Sequence, residues 1–389
     1  MDRSNEIKLI NECIENRDNR TTSLGDTIHT SRADRYTSSE RFELERDYLL
    51  KKLPMPLAHV SEVAEPNSYR RVDTPIGQLL VTRDEQGNSH VFHNSCRHRG
   101  ARLINDDKGC SKRLTCPYHA WSYGTDGQLN TVPGEKHCFP DLDKQSHGLV
   151  EVANVEKYGF VWACPSATDT QSAEQALDDH LGEMGKDLQW MAGENLKAFK
   201  NTTKIWGGNW KLFAEGGLET YHFAFAHRNT IAPHFYNNTA VIENAGNHYR
   251  VIMPTRSLEK VEDTPEEHRS IHDFTHTLFM LMPYSAFLVQ KEHVEWITFL
   301  PLSEGETRIS ITSLVPGDAD LEDFQQRNHW DKNHQITITT LDEDWELGAS
   351  IQDSLASGAL EEIVYGKNEW ALKDFNNKLD ALIEQNQSA

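Results

Sequence analysis

The rhythm of apolar and polar positions changes near residues 68, 166 and 197, and each change predicts a different kind of element. The first 50 residues read as helix and loop, with ERFELERDYLLKKL (40–53) forming a highly charged helical stretch. From about Ser68 the pattern turns to short strands. In GQLLVTRDEQGNSHVFHNS two apolar runs flank a polar turn containing Gly87, which predicts a β-hairpin. YGFVWACP (158–165) predicts a further strand ended by Pro165. Residues 166–195 are polar, and SAEQALDDHLGEMGKDL has helical spacing.

At Lys197 a new pattern begins. NLKAFKNTTKIWGGNW predicts a strand and a turn, and WKLFAEGGLETYHFAFAH (210–227) carries apolar and acidic residues at helical intervals. The runs HYRVIMPTR, HTLFMLMPYSAFLVQ, EWITFLPL and TRISITSLVP are rich in β-branched and aromatic residues, so they predict an antiparallel sheet. The last 70 residues return to helical patterns ending in EWALKDFNNKLDALIEQ. The expected class is α+β, with a helical segment over 1–45, a β-rich module over 46–165 and a larger domain over 166–389 on which the first segment packs.

Composition narrows the possible partners. The 389 residues carry a formal net charge of -21, which argues against nucleic acid or an anionic membrane surface. No run of 18 apolar residues appears, so no membrane span is expected. The charged opening MDRSNEIKLINECIENRDNR does not read as a signal peptide. Six cysteines in a long chain of this kind point to the reducing cytoplasm and to metal binding rather than disulfides.

Two pairs of residues carry that chemistry. Cys96-x-His98 and Cys116-x-x-His119 are separated by 17 residues. Zinc would accept two thiolates and two imidazoles. Zinc-finger spacing, however, usually keeps cysteines together and histidines together, whereas each loop here mixes the two. Mixing is what a Rieske [2Fe–2S] centre requires, with two cysteines on one iron and two histidines on the other. Gly100 and Pro117 suit tight loops, and Trp121 and Tyr123 are placed to shield a cluster. CRHRG…CPYHAW resembles the cluster-binding signature of Rieske non-haem iron oxygenases, the alpha subunits of ring-hydroxylating and demethylating systems. Cys110 matches no ligand of that pattern and reads as a structural thiol.

A second constellation lies in 209–227. On a continuous helix Glu215, Glu219 and His222 share one face. His227 would sit about 140° away from His222, so the helix must bulge or end for both imidazoles to meet one ion. One distant carboxylate would complete the two-His, one-carboxylate triad of mononuclear Fe(II). The family resemblance extends here, through N-W-K, an acidic residue and His-x4-His, onto His222 and His227. It implies a helix-grip-like catalytic domain and the third ligand in TTLDEDWELGASIQDSL, where Asp344 is aligned and Asp342 is the alternative. It also implies that Glu219, where ring-hydroxylating members commonly have Asp, bridges His222 to His119 of a neighbouring subunit in a homotrimer. Members acting on quaternary amines share this variant.

The resemblance puts Asn209 near the iron, while an Asn there also suits a helix N-cap. Trp206, Phe213, Phe223, Tyr284 and Trp296 are candidates to line a substrate pocket or to pack in the core, together with Phe225 and Phe287. A convergent set of such rings would suit a quaternary ammonium or an aromatic substrate. His272, His276 and His293 have no partner at metal spacing. The chain shows no dinucleotide fingerprint and no plant-type ferredoxin cysteine run. Electrons are therefore expected from a separate NAD(P)H-dependent reductase, with or without a ferredoxin between. The expected activity is the O2-dependent hydroxylation, dihydroxylation or demethylation of a quaternary amine or an aromatic acid. Two other classes fit part of the pattern: a Rieske electron-transfer protein without oxygenase chemistry, and a zinc-binding structural protein.

Overall fold

The polar stretch 166–195 is two helices rather than one. Its break falls at Gly182, between Thr170–Leu181 and Met184–Met191, and the two helices belong to different parts of the molecule. In the computed structural model, which describes residues 1–388, one unit comprises Lys51–His180 and Gly193–Lys197. The other comprises Met1–Leu50, Leu181–Ala192 and the chain from Ala198 onward. The boundaries expected at 46 and 166 thus lie at 51 and within 181–197. Ion pairs follow the split: Lys157 Nζ meets Asp178 of the first helix at 2.7 Å, and Arg250 Nε meets Asp187 of the second at 2.6 Å.

The first unit is built from three small antiparallel sheets. One holds Asn154–Lys157, Phe160–Ala163 and Met55–His59; a second holds Ser89–His93, Gly77–Arg83, Ser68–Thr74 and Lys108–Cys110; the third holds Leu114–Thr115, Ser122–Tyr123 and Leu129–Thr131. The Gly77–Arg83/Ser89–His93 pair is the hairpin expected around Gly87. Leu80, Phe92, Leu114, Trp121 and Tyr123 form one apolar core that also encloses Cys96 and Cys116.

The second unit is a seven-stranded sheet under a long helix. Its strands are β1 (Leu196–Gly207), β2 (Val241–Ala245), β3 (His248–Pro254), β4 (Thr275–Leu281), β5 (Ser285–Val289), β6 (Val294–Ser303) and β7 (Glu306–Pro316). From β2 to β7 each strand pairs antiparallel with the next, and β1 lies beside β7. Strand alternation sorts the faces. His276, Leu278, Met280, Ala286, Leu288, Ile297 and Phe299 face a cavity, while Phe287 and Trp296, paired in register, lie on the other side.

Two short helices, α1 (Trp210–Glu215) and α2 (Phe223–Ala226), precede the sheet's second strand, and α3 (Phe324–Ala356) follows its last. Asp323 caps α3 by accepting from Gln326 N at 2.8 Å. Among the described residues no helix is long and apolar enough to cross a membrane.

The single helix expected over 210–227 is also broken. Gly216 and Gly217 are weak helix formers, and the chain passes through a 3-10 turn into an extended Glu219 (φ -151°, ψ 164°). Gly217 lies tight against β4, where a Cβ would come within 2.7 Å of Leu278 Cδ2. Glu215 consequently does not share a face with Glu219. Its carboxyl is buried, accepting from the Tyr36 hydroxyl at 2.7 Å and from Asn376 Nδ2 at 2.8 Å.

Burial raises the Glu215 pKa from 4.5 to about 7. The folded protein then holds this proton up to about pH 7, while the unfolded chain releases it near 4.5. Its contribution to stability is therefore full below the unfolded value and declines as pH rises between the two. Thermal midpoints measured from pH 5 to 7.5 are expected to vary less with pH in Glu215→Gln than in the wild type, and parallel profiles would contradict the assignment.

Candidate metal centres

The two Cys/His loops are built alike. Cys96 O accepts from Gly100 N at 2.9 Å, and Cys116 O accepts from Ala120 N at 3.0 Å. Cys96 N donates to Ala101 O, and Cys116 N donates to Trp121 O, both at 2.8 Å. The fourth residue after each cysteine is left-handed: Gly100 at φ +74° and Ala120 at φ +55°. Gly100 adopts this freely, whereas Ala120 does so at a cost that the loop must offset.

Both sulfurs belong to 3% exposed residues, and the imidazoles lie nearer the surface. His98 stacks on Trp121 at 5.0 Å, and its ring centre is 4.7 Å from that of His119. The Tyr123 hydroxyl accepts from Arg97 N at 3.0 Å and lies 3.4 Å from Cys96 Sγ, so its proton is available to that sulfur. Tyr123 is thus a polar partner of a ligand as well as a shield.

The Nδ1 atoms of His98 and His119 are buried without a protein partner. Two buried sulfurs and two unpartnered buried imidazole nitrogens are the donor set a [2Fe–2S] Rieske cluster needs. His119 Nε2 points elsewhere, 3.1 Å from Arg99 Nη2. Cys110 stays apart, exposed on its strand with its thiol 3.6 Å from Pro66 O.

In the second unit His222, His227 and Asp344 offer ligand atoms that all lie within 4.8 Å of one another. Asp344 Oδ1 is 2.9 Å from His227 Nε2 and 3.4 Å from His222 Nε2. Each ring's Nδ1 faces another carboxylate, Glu219 for His222 and Glu343 at 2.8 Å for His227. That leaves both Nε2 atoms turned toward Asp344, the arrangement that outer carboxylates impose on metal-ligating histidines.

The three consecutive acids of α3 separate because successive residues point about 100° apart. Asp342 pairs with Lys204, Glu343 holds His227 and the Thr230 hydroxyl, and Asp344 faces both Nε2 atoms. Burial pulls the pKa of both imidazoles down, but the neighbouring carboxylates outweigh it and hold both above 6.5. Three carboxylates around two imidazoles leave negative charge that a divalent cation offsets. Two nitrogens and one oxygen suit mononuclear iron.

Beside this group lies a cavity of about 790 Å³. Phe213 and Phe223 line it, as expected. The other pocket candidates do not. Trp206 lies behind Trp345 at 5.9 Å, Tyr284 is buried in the core, and Trp296 stacks on Phe287 across the sheet. Asn209 is no neighbour of the metal group either. It caps α1 by accepting from Lys211 N, and its amide donates to Tyr36 O and Glu304 O, so all its polar atoms are engaged.

Phe235, Trp345 and His276 also line the cavity; alternation with Leu278 and Met280 marks His276 in the sequence, and nothing local marks Phe235 or Trp345. His272 stacks on Trp190 and His293 meets Glu295; neither joins the metal group, and neither does His276.

The chain matches the Rieske [2Fe-2S] domain over residues 54–155 and the ring hydroxylating alpha subunit (catalytic domain) over 194–385, together about three quarters of its length. It is 34% identical to the anthranilate 1,2-dioxygenase large subunit of Acinetobacter baylyi over 58% of this chain and 46% of that protein. It is 32% identical to the glycine betaine monooxygenase oxygenase subunit of Chromohalobacter salexigens over 49% of this chain and 42% of that protein. The chain thus spans about half the length of the curated relatives it matches.

Among solved structures, a quaternary ammonium Rieske monooxygenase in complex with L-carnitine superposes with a TM-score of 0.74 at 22% identity, over 92% of this chain and 96% of the other. Naphthalene 1,2-dioxygenase from Rhodococcus sp. bound to indole gives 0.76 at 19% identity, over 97% and 98%. These likenesses concern the fold, a β-rich Rieske domain joined to an antiparallel sheet under a long helix. With the two domain matches in this order, the chain belongs to the alpha-subunit family of Rieske non-haem iron oxygenases.

Proposed function

We propose that this chain is the terminal oxygenase component of a multicomponent system, oxidising a small, largely apolar organic molecule with O2. The observation that carries this is the placing of His222, His227 and Asp344 at the edge of the 790 Å³ cavity. A Rieske electron carrier would need the first loop pair alone.

Cys96, His98, Cys116 and His119 would hold the cluster, and His222, His227 and Asp344 the iron. When bound, the cluster passes single electrons and the iron activates O2. The protein's own contribution is orientation. Glu343 fixes the His227 ring through Nδ1. Glu219 fixes His222 through Nδ1 and accepts from His222 N at 3.2 Å. Apolar walls exclude water from the reacting end.

Electrons would come from a separate NAD(P)H-dependent reductase, directly or through a ferredoxin. The chain would act as a homotrimer in the cytoplasm, with His119 of one copy facing Glu219 of the next. Trp206, Tyr284 and Trp296 form no cage in the cavity, and the rings that do line it, Phe213, Phe223, Phe235, Phe299 and Trp345, stand along an otherwise apolar floor that suits a flat ring system. This supports an aromatic substrate over a quaternary amine. Relatives are named for both, anthranilate and glycine betaine among them.

Iron content tests the ligand set. Wild type is expected to hold about three Fe per chain and Asp344→Ala about two, with the cluster spectrum unchanged. Asp342→Ala should keep all three, and loss of iron there but not from Asp344→Ala would transfer the ligand role. Glu219→Ala is expected to retain iron and cluster while O2 uptake with reductase and substrate falls by about 10- to 100-fold. Full coupled turnover in that variant would refute the bridging role.

A further inference from the structure

The cavity has two chemically different ends. At one stand Glu219, His222, His227 and Asp344. At the other stand His276 of β4, Gln290 just beyond β5 and Lys332 of α3. Helical rise puts Lys332 ~18 Å along α3 from Asp344. On the sheet, a Cβ at Gly217 would lie 3.2 Å from Met280 Cε, which places Met280 beside the turn that carries Glu219. His276 is four residues back along the same strand, ~13 Å away. It pairs with Met253, and continuing the Thr277↔Val289 register sets Gln290 opposite it. A row of ring contacts joins the two ends: His227 to Phe223 at 5.5 Å, Phe223 to Phe235 at 5.5 Å, and Phe235 to His276 at 5.1 Å. Leu278, Leu288, Ile297 and Phe299 fill the floor between.

His276 has no structural partner for its polarity. It is half-buried in the cavity wall; its ring touches Phe235 and has no hydrogen-bond partner among the described residues. Leaving a polar ring unpaired in an apolar wall is costly unless a ligand completes it. Burial holds the imidazole neutral, with its pKa lowered to about 4, so it offers one N–H donor and one acceptor nitrogen. Gln290 beside it is anchored from behind, its Nε2 3.1 Å from His293 Nε2. No acidic side chain lines this end among the described residues, and Lys332 stands at its rim.

We infer that His276 is a specificity-determining residue that hydrogen-bonds the polar end of the substrate, and that the substrate is an aromatic-sized apolar molecule bearing a carboxylate. The apolar floor then directs the opposite end of that molecule toward His222, His227 and Asp344. This inference rests on the oxygenase reading above and narrows its substrate class.

Anaerobic calorimetric titration of the iron-loaded protein with 2-naphthoate and with naphthalene, which share one ring system, tests it. Wild type is expected to bind 2-naphthoate. His276→Leu should weaken that binding by about tenfold or more, the loss of one charge-assisted hydrogen bond, and leave naphthalene binding unchanged. His276→Gln, which restores a donor, should recover part of the loss. Unchanged 2-naphthoate affinity in His276→Leu, an equal loss for both probes, or no 2-naphthoate binding to wild type would each overturn the assignment. The titration uses neither reductase nor turnover, so its outcome is separate from that of the O2-uptake assay.

Discussion

One imidazole organises the second unit. His227 is 1% exposed, and carboxylates on consecutive residues of α3 engage both its nitrogens, Glu343 at Nδ1 and Asp344 at Nε2. A buried ring with both nitrogens engaged cannot rotate without leaving a charged partner unpaired. It therefore fixes where the 33-residue α3 lies over the turn that carries His222. Asp344 then reaches both Nε2 atoms, and the space between α3 and the sheet becomes the cavity. Shifting α3 by one residue would bring Asp342 or Glu343 to the wrong nitrogen, so the register of this helix and the ligand set are one constraint.

What the sequence reveals follows from how local each feature is. The cluster loops are legible because Cys96 and His98, and Cys116 and His119, sit within single turns whose closing bonds span four or five residues. The catalytic turn is legible only in part. Helical spacing groups Glu215, Glu219 and His222, yet Gly216 and Gly217 end the helix, and Glu219 reaches His222 through a turn while Glu215 enters the core against Tyr36. Asn209 resolves to its capping role because distant carbonyls, of Tyr36 and Glu304, claim its amide. Among Asp342, Glu343 and Asp344, only tertiary partners decide which faces the histidines. The pocket aromatics fail by parity. Trp296 is one step out of phase with Ile297 and Phe299, and nothing local to that strand tells which phase meets the cavity.

The two units solve the same problem with different materials. In the first, a compact apolar core encloses the sulfurs and leaves two imidazoles near the surface, as an electron entry and exit require. In the second, carboxylates outside the ligand shell hold the imidazoles, and the apolar surface is reserved for the cavity wall. His276, half-buried and without a hydrogen-bond partner among the described residues, stands at the end away from the metal ligands, so the wall carries a direction.

Two unlike iron sites in one chain have distinct Mössbauer signatures in the 57Fe-enriched protein. The expected spectrum holds a Rieske component with two inequivalent irons and a separate high-spin mononuclear component, with intensities of about two to one. A spectrum containing the cluster component alone from fully iron-loaded protein would contradict the presence of the mononuclear site.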